Sequence, residues 1–307
     1  MELAKKINNF LTDPKIRFGY LSKLGFYDNL SDKQYVEKEW FSHWQKPLNL
    51  ENPQTFNEKL QWLKIYNHNP QATIMVDKYA AKQYVSERIG KQYIIPTLGM
   101  WDSFYDIDFN LLPEQFVLKV THDSGGLVIC KEKNKLDINA TKKILQKSLK
   151  RDYYKVHREW PYKNVPRRII AEKYMKDRNN EALTDYKFYC FNGVPLYLYV
   201  SVGLDNHETA KISFLTTDWT FAKFGRTDYK ALDVLPPKPQ NLEKMIEISK
   251  KLSTGFPFLR VDLYEINGQV YFGELTFTPC AGMMPFNPPD ADLEIGKLLD
   301  ISYLRSK

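Results

Sequence analysis

The sequence predicts an α+β protein with two lobes. Three observations carry this reading. Helical periodicity dominates the first 75 or so residues, the apolar period then switches repeatedly between 2 and 3.6, and the order of elements is not a regular βαβ alternation. A chain of 307 residues, 43% hydrophobic and 14% aromatic, is long enough to close one large core or two ordinary ones. The expected divisions are a helical N-terminal extension (1–75), a first lobe (76–168) and a second lobe (169–307).

The elements follow in order. "TFNEKLQWLKIY" opens on a capping box, Thr55 with Glu58 three residues on, and places Leu60 and Leu63 on one stripe. "DKYAAKQYVSERIG" reads as a helix capped by Asp77, apolar at Ala81, Val85 and Ile89, and stopped by Gly90. "EQFVLKV" and "GLVIC" are short β-like runs joined by "THDSGG". A helix is expected from about Ala140 to Lys155, then strands in "RRIIAEKYM", "DYKFYCFNG" and "VPLYLYVSVG", with Asn192-Gly193 as a hairpin turn. "NLEKMIEISKKLS" is amphipathic, and the Pro-rich "PFNPPD" leads into a last helix, "ADLEIGKLLDI".

The totals exclude several classes. No run of about eighteen apolar residues exists, so no membrane-spanning helix is expected. The N-terminus lacks the pattern of a signal peptide. Three widely spaced cysteines, Cys130, Cys190 and Cys280, suit free thiols in a reducing cytoplasm, and the five histidines show no metal-ligand spacing. The net charge of +7 is concentrated between Lys142 and Arg168, where ten Lys or Arg face only Asp152 and Glu159. Such a stretch is a solvated face, or it meets an anionic substrate, nucleotide phosphates or an acidic membrane. No RRM, zinc-finger or helix-turn-helix signature accompanies it, so no nucleic-acid partner is expected.

The run "FLRVDLYEINGQVYFGELTFTPCAG" alternates like a β-hairpin yet puts Arg260, Asp262, Glu274 and Thr276 at its polar positions. A two-residue turn at Asn267-Gly268 sets Asp262 opposite Gly273 and mixes polar with apolar side chains on each face. A three-residue loop instead pairs Asp262 with Glu274 and Arg260 with Thr276, leaving Leu259, Val261, Leu263, Leu275 and Phe277 on the buried face. Two carboxylates within about 5 Å then call for a cation, either Arg260 or a hard metal ion such as Mg²⁺. A sheet-face Lys119, alternating with Val117 and Thr121, likewise calls for an anion. The loop from His122 to Gly126 lies between strands, so it is neither a Walker A loop nor a Rossmann fingerprint. Its backbone N–H groups suit phosphates.

These residues resemble the ATP-grasp superfamily, and the markers "TFNEKLQWLK", "DKYA", "DYKFYCFNG", "RVDLY" and "GELTF", in that order over roughly residues 30 to 300, resemble its TupA-like branch. The resemblance implies an ATP-grasp fold, ATP and Mg²⁺ as cofactors, and work on a cell-surface polysaccharide. It assigns Asp262, Glu274 and Thr276 to the metal, Thr276 standing where the family usually has Asn. Arg260 and Lys187 fall to catalysis. Lys78, Lys119, Ser124 and Gly125 fall to the phosphates, and the backbone of Glu172, Lys173, Tyr174 and Met175 to adenine. Asn179 occupies the usual ribose-acid position, so Glu181 or Asp177 takes that role. The implied reaction joins an amine, an amino acid or peptide, to a uronic acid of an anionic glycan or of its sugar-nucleotide or lipid-linked precursor. With a lipid-linked precursor, peripheral membrane contact follows. Alternatives from the residues are a glycan kinase, a glycosyltransferase using Asp290-Ala291-Asp292 as a DxD, and a non-catalytic assembly protein. In the DxD, Asp290 is more simply read as a helix N-cap.

Overall fold

The computed structural model describes residues 2–178, 183–202 and 210–305. Helices α1 (Glu2–Thr12), α2 (Pro14–Lys23), α3 (Asp32–Trp44), α4 (Phe56–Tyr66), α5 (Pro70–Val76) and α6 (Ala80–Ile89) come first. Strands β1 (Thr97–Trp101), β2 (Phe116–Val120), β3 (Leu127–Cys130) and β4 (Ile169–Lys173) build an antiparallel sheet in the order β1-β4-β2-β3. Helices α7 (Ile138–Lys150) and α8 (Tyr154–His157) lie between β3 and β4 in the chain. Strands β5 (Asp185–Phe191), β6 (Val194–Val202) and β7 (Lys211–Thr216) belong to a second sheet, and β8 (Gly225–Arg226) stands outside it. After α9 (Leu242–Ser253), β9 (Phe258–Ile266) and β10 (Gln269–Thr276) complete the antiparallel order β10-β9-β5-β6-β7. Strand β11 (Phe286–Asn287) pairs with β8, and α10 (Ala291–Leu298) and α11 (Ser302–Arg305) follow. Among the described residues no helix is long and apolar enough to cross a membrane.

Each sheet has its own core. Phe116, Leu118, Val120, Ile169 and Ala171 of the first pack with Leu145 of α7. The second sheet buries one face on α9 and α6 through Phe188, Leu259, Val261, Met245, Leu252 and Val85. Phe56 and Leu60 of α4 join Phe191, Phe258 and Ile295 in another cluster. The early helices therefore share the core of the second sheet, and the lobes interleave along the chain. The Thr55 hydroxyl accepts from the Glu58 N–H and Glu58 caps back, the reciprocal pair read from "TFNE". Asp77 Oδ1 accepts from the N–H groups of Tyr79 and Ala80 at the entrance to α6. Strands β1 and β7 have no counterpart in the sequence reading. The first is short, half-exposed and interrupted by Gly99, and the second is an almost wholly buried run without alternation.

The hairpin corrects one expectation. Ile266 pairs with Gln269 across a two-residue turn at Asn267-Gly268, both with positive φ (53° and 77°), and not across a three-residue loop. The pairing of Asp262 with Glu274 and of Arg260 with Thr276 nevertheless occurs, because a bulge at Gly273 shifts the register by one residue. Val270 and Phe272 before the bulge and Leu275 after it consequently enter the same core. Space explains why the bulge carries glycine: a Cβ there lies 3.1 Å from the Asp262 carbonyl oxygen and 3.0 Å from the Tyr264 ring. The DxD is corrected as well. Asp290 makes no capping hydrogen bond, while Asp292 Oδ1 accepts from the Asn57 N–H (2.9 Å) and ties α10 to the start of α4.

Candidate active site

Tyr186, Phe188 and Cys190 of β5 and Leu259, Val261 and Leu263 of β9 enter the core with α9, so Asp185, Lys187, Arg260 and Asp262 stand on the other face. There Asp185, Lys187 and Asp262 share a cavity with Lys119 and Glu172 of the first sheet. On that face Asp262 is buried and triply held. Arg260 donates from Nε and Nη2 to its two oxygens (2.7 Å each), and Lys187 Nζ donates to Oδ2 (2.8 Å). Burial alone raises the Asp262 carboxyl, but the Arg260 and Lys187 charges overcome it and hold the group below the ordinary carboxylate range. Lys187 also bridges to Asp185, whose Oδ1 is buried without a hydrogen-bond partner. Glu274 is half-buried, and its Oε1 accepts from Thr276 Oγ1 (3.1 Å).

Across the cleft Glu172 of β4 receives Lys119 of β2 (2.6 Å) and Lys82 of α6 (2.5 Å). Burial opposes its ionisation, yet the two ammonium groups hold Glu172 below its ordinary value. Lys78 Nζ donates to the Asp123 carbonyl (2.8 Å), anchoring the loop that exposes Ser124 and Gly125. Asp123 itself accepts from Ser148 and Arg151, so the loop is tied to α7 at its base. These groups line two cavities that share Lys78 and Glu274. The inner one, about 80 Å³, lies between Lys82, Lys119 and Glu172 on one side and Asp185, Lys187 and Asp262 on the other. The outer one, about 420 Å³, is lined by Ser124, Tyr153, Glu159, Arg260 and Thr278, among others.

The structure brings Lys78, Lys119, Glu172, Lys187, Asp262 and Glu274 around the inner cavity, and Ser124, Arg260 and Thr276 around the outer one. Gly125 sits at the exposed tip of the loop. Lys173 is exposed and its N–H is given to the Pro96 carbonyl (3.0 Å). Tyr174 and Met175 leave the strand half-buried beside it. Glu181 lies outside the described residues, and the buried Asp177 accepts from the Asn267 N–H (2.8 Å). Sequence reasoning missed Lys82, which stands in the first turn of α6 while Lys78 lies in the turn that precedes the helix. Asp185 was missed too, although it alternates with Lys187 in "DYKF". Tyr153 falls within the helix expected to run to about Lys155, but α7 ends at Lys150 and Tyr153 enters the short α8. Glu159 and Tyr162 lie at a single 3-10 turn that carries no periodic signal.

Among the described residues no set of three or more His, Cys, Asp or Glu groups converges as a metal cage. The donors at hand are two carboxylates on paired strand positions and one hydroxyl, all hard oxygens. That set fits Mg²⁺, which takes one or two carboxylates and fills its remaining positions with phosphate oxygens and water.

Burial raises Asp185 from 3.8 to about 6, with Lys187 opposing and Asp262 adding to the rise. A folded value above the unfolded one means the stabilisation is complete below about pH 4 and lost as pH climbs through 6. Wild type should therefore lose about 2–3 kcal/mol relative to Asp185→Asn across that window and then level off. Urea unfolding of both proteins between pH 4 and 7.5 checks this, and a gap moving the other way contradicts it.

Comparison with known proteins adds the following. The family described as TupA-like ATPgrasp matches residues 58–300. Among solved structures the chain is similar to D-alanine–D-alanine ligase from Bacillus anthracis complexed with ATP (15% identity, 66% of this chain and 55% of that chain, TM-score 0.40). It is similar also to D-alanine–D-alanine ligase from Helicobacter pylori (13% identity, 81% and 68%, TM-score 0.44). A third is the ATP-grasp ligase PsnB complexed with a minimal precursor (9% identity, 83% and 66%, TM-score 0.41). The chain thus spans little more than half the length of the first of these. No curated protein matches it.

Proposed function

The chain belongs to the TupA-like ATP-grasp family, and on that premise we propose that it is an ATP-dependent carboxylate–amine ligase. One observation carries the reading. Asp262 and Glu274, paired on adjacent strands and flanked by Arg260 and Lys187, face Lys119 of the opposite sheet and Lys82 of α6 across one cleft. Acids for a cation on one wall and cations for an anion on the other suit a magnesium–triphosphate pair.

ATP, bound with Mg²⁺ held by Asp262, Glu274 and Thr276, would supply the phosphoryl group that turns a substrate carboxylate into an acyl phosphate. An amine then attacks the acyl carbon, the C–N bond forms and phosphate leaves. Lys119 and Lys82 would hold phosphate oxygens, with the N–H groups of Ser124 and Gly125 closing over them. Tyr174 and Met175, beside Glu172 and Lys173, would bound the adenine, and Glu181 would meet the ribose. Arg260 and Lys187 would meet the negative charge that develops at the acyl oxygen. The inner cavity is far smaller than the 300–1,000 Å³ of an ordinary ligand pocket because Glu172 draws both lysines into it. Nucleotide entry on this reading exchanges the Glu172 carboxylate for phosphate as the partner of Lys119 and Lys82.

The finer reading is a ligase of cell-surface polysaccharide synthesis that acts in the cytoplasm, joining an amino acid or peptide to a uronic acid. The basic stretch from Lys142 to Arg168 supports an anionic acceptor. Product analysis tests it. With ATP, Mg²⁺, glucuronate as the carboxylate and a panel of amino acids, ADP and phosphate should appear only when both carboxylate and amine are present. A stable phosphorylated sugar formed without amine identifies a kinase instead. Nucleotide released from a sugar nucleotide, without ATP, identifies a glycosyltransferase.

A further inference from the structure

The groups lining the outer cavity fall into two chemically unlike sets. Lys78, Ser124 and Arg260 suit an anion, whereas Tyr153, Glu159, Tyr162 and Thr278 carry no fixed positive charge. Glu159 is only 5% exposed and accepts from the Thr278 hydroxyl. Behind it lie two further buried charges, Glu39 of α3 and Lys64 of α4. Lys64 Nζ donates to the Ala281 carbonyl (3.2 Å), and its positive charge acts on both acids at once. Glu39 Oε1 takes the His157 Nδ1–H (2.5 Å), while Glu39 Oε2 has no hydrogen-bond partner.

Two buried carboxylates are met by one permanent cation, Lys64, and by His157, which adds a second only when protonated; with His157 neutral, one of the two acids has no cation of its own. A buried negative charge without its own cation is costly, and the cavity gives a cation access to Glu159. The rings of Tyr153 and Tyr162 meet edge to face at 4.8 Å on the same cavity lining, presenting π density of the kind an ammonium seeks.

We propose that this part of the outer cavity is the subsite for the amine substrate: it binds a primary ammonium against Glu159, Tyr153 and Tyr162. Glu159 then takes one proton from R–NH₃⁺, leaving R–NH₂ with a free lone pair and a neutral carboxylic acid. Burial, which raises Glu159 above the ordinary carboxylate range despite Lys64 and His157, favours that acceptance. What the amine does next rests on the ligase reading; its binding does not.

Titration calorimetry of the full chain with L-alaninamide, a cationic amine without a carboxylate, tests the subsite with and without Mg²⁺ and a non-hydrolysable ATP analogue. Wild type should bind it, N-acetyl-L-alaninamide should not bind, and Glu159→Gln should weaken binding at least tenfold. Thr278→Val, which keeps the charge, should weaken it only a few-fold. No binding by wild type under either condition, equal binding of the acetylated probe, or unchanged affinity in a folded Glu159→Gln each overturns the proposal. Should Glu159→Gln not fold, the contrast between the two probes on wild type decides alone. Nucleotide binding in the same titrations separates the two ideas, since its absence removes the ligase reading and leaves the ammonium result standing.

Discussion

Glu274→Gln is expected to lower magnesium-dependent ATP turnover by roughly 10²–10³-fold while leaving stability within about 0.5 kcal/mol of wild type. The side chain is half-buried and its contact is with the Thr276 hydroxyl, which a glutamine carbonyl can still accept. Shape and hydrogen bond survive, and one of two negative charges facing the phosphates does not. A coupled ADP assay with saturating Mg²⁺, beside a urea unfolding curve, reads both quantities. Full turnover in the folded variant would remove Glu274 from the metal set.

Asp262→Asn should behave differently, because the same chemical change falls on a group that holds the site together. Asp262 meets the bidentate Arg260 and also Lys187, and all three are shielded from water. Without its charge, Arg260 and Lys187 lose the carboxylate they share and keep only the more distant charge of Glu274 and the contact with Asp185; breaking such a buried pair costs about 3–5 kcal/mol. The folded value of Asp262 lies below the unfolded one. Its contribution is thus complete above the ordinary carboxylate range and fades as pH falls through the folded value. The gap between wild type and Asp262→Asn should therefore be widest near neutrality and narrow in acid, as followed by urea unfolding at several pH values. A neutral-pH loss below about 1 kcal/mol would mean that Arg260 and Lys187 find other partners.

How much of this was legible follows from where each residue sits. Arg260, Asp262 and Lys187 stand in strands whose alternate positions are apolar, so a charged residue every second place marks the face turned from the core. Lys119 was visible for the same reason. Gly273 was visible as a glycine within a strand, the usual mark of a bulge, but the paired faces could equally be reconciled by a longer loop, and only coordinates separate the two. The outer cavity was hidden more deeply. Its Glu159, Tyr153 and Tyr162 lie in short turns between α7 and β4, and the charges behind them come from α3 and α4, about a hundred residues earlier. No local period links Glu39, Lys64 and Glu159; the packing of the fold does.

Gly273 also bears on how this hairpin can vary. Since the half-step in phase is taken beside the acids rather than at the tip, everything beyond Tyr264 and Tyr271 is mechanically downstream of the alignment. A tip rebuilt so that Tyr264 still pairs with Tyr271 leaves Glu274 and Thr276 in the cleft. The alignment of the two acids is set at a single small residue, much as a keyway fixes a shaft whatever is mounted at its far end.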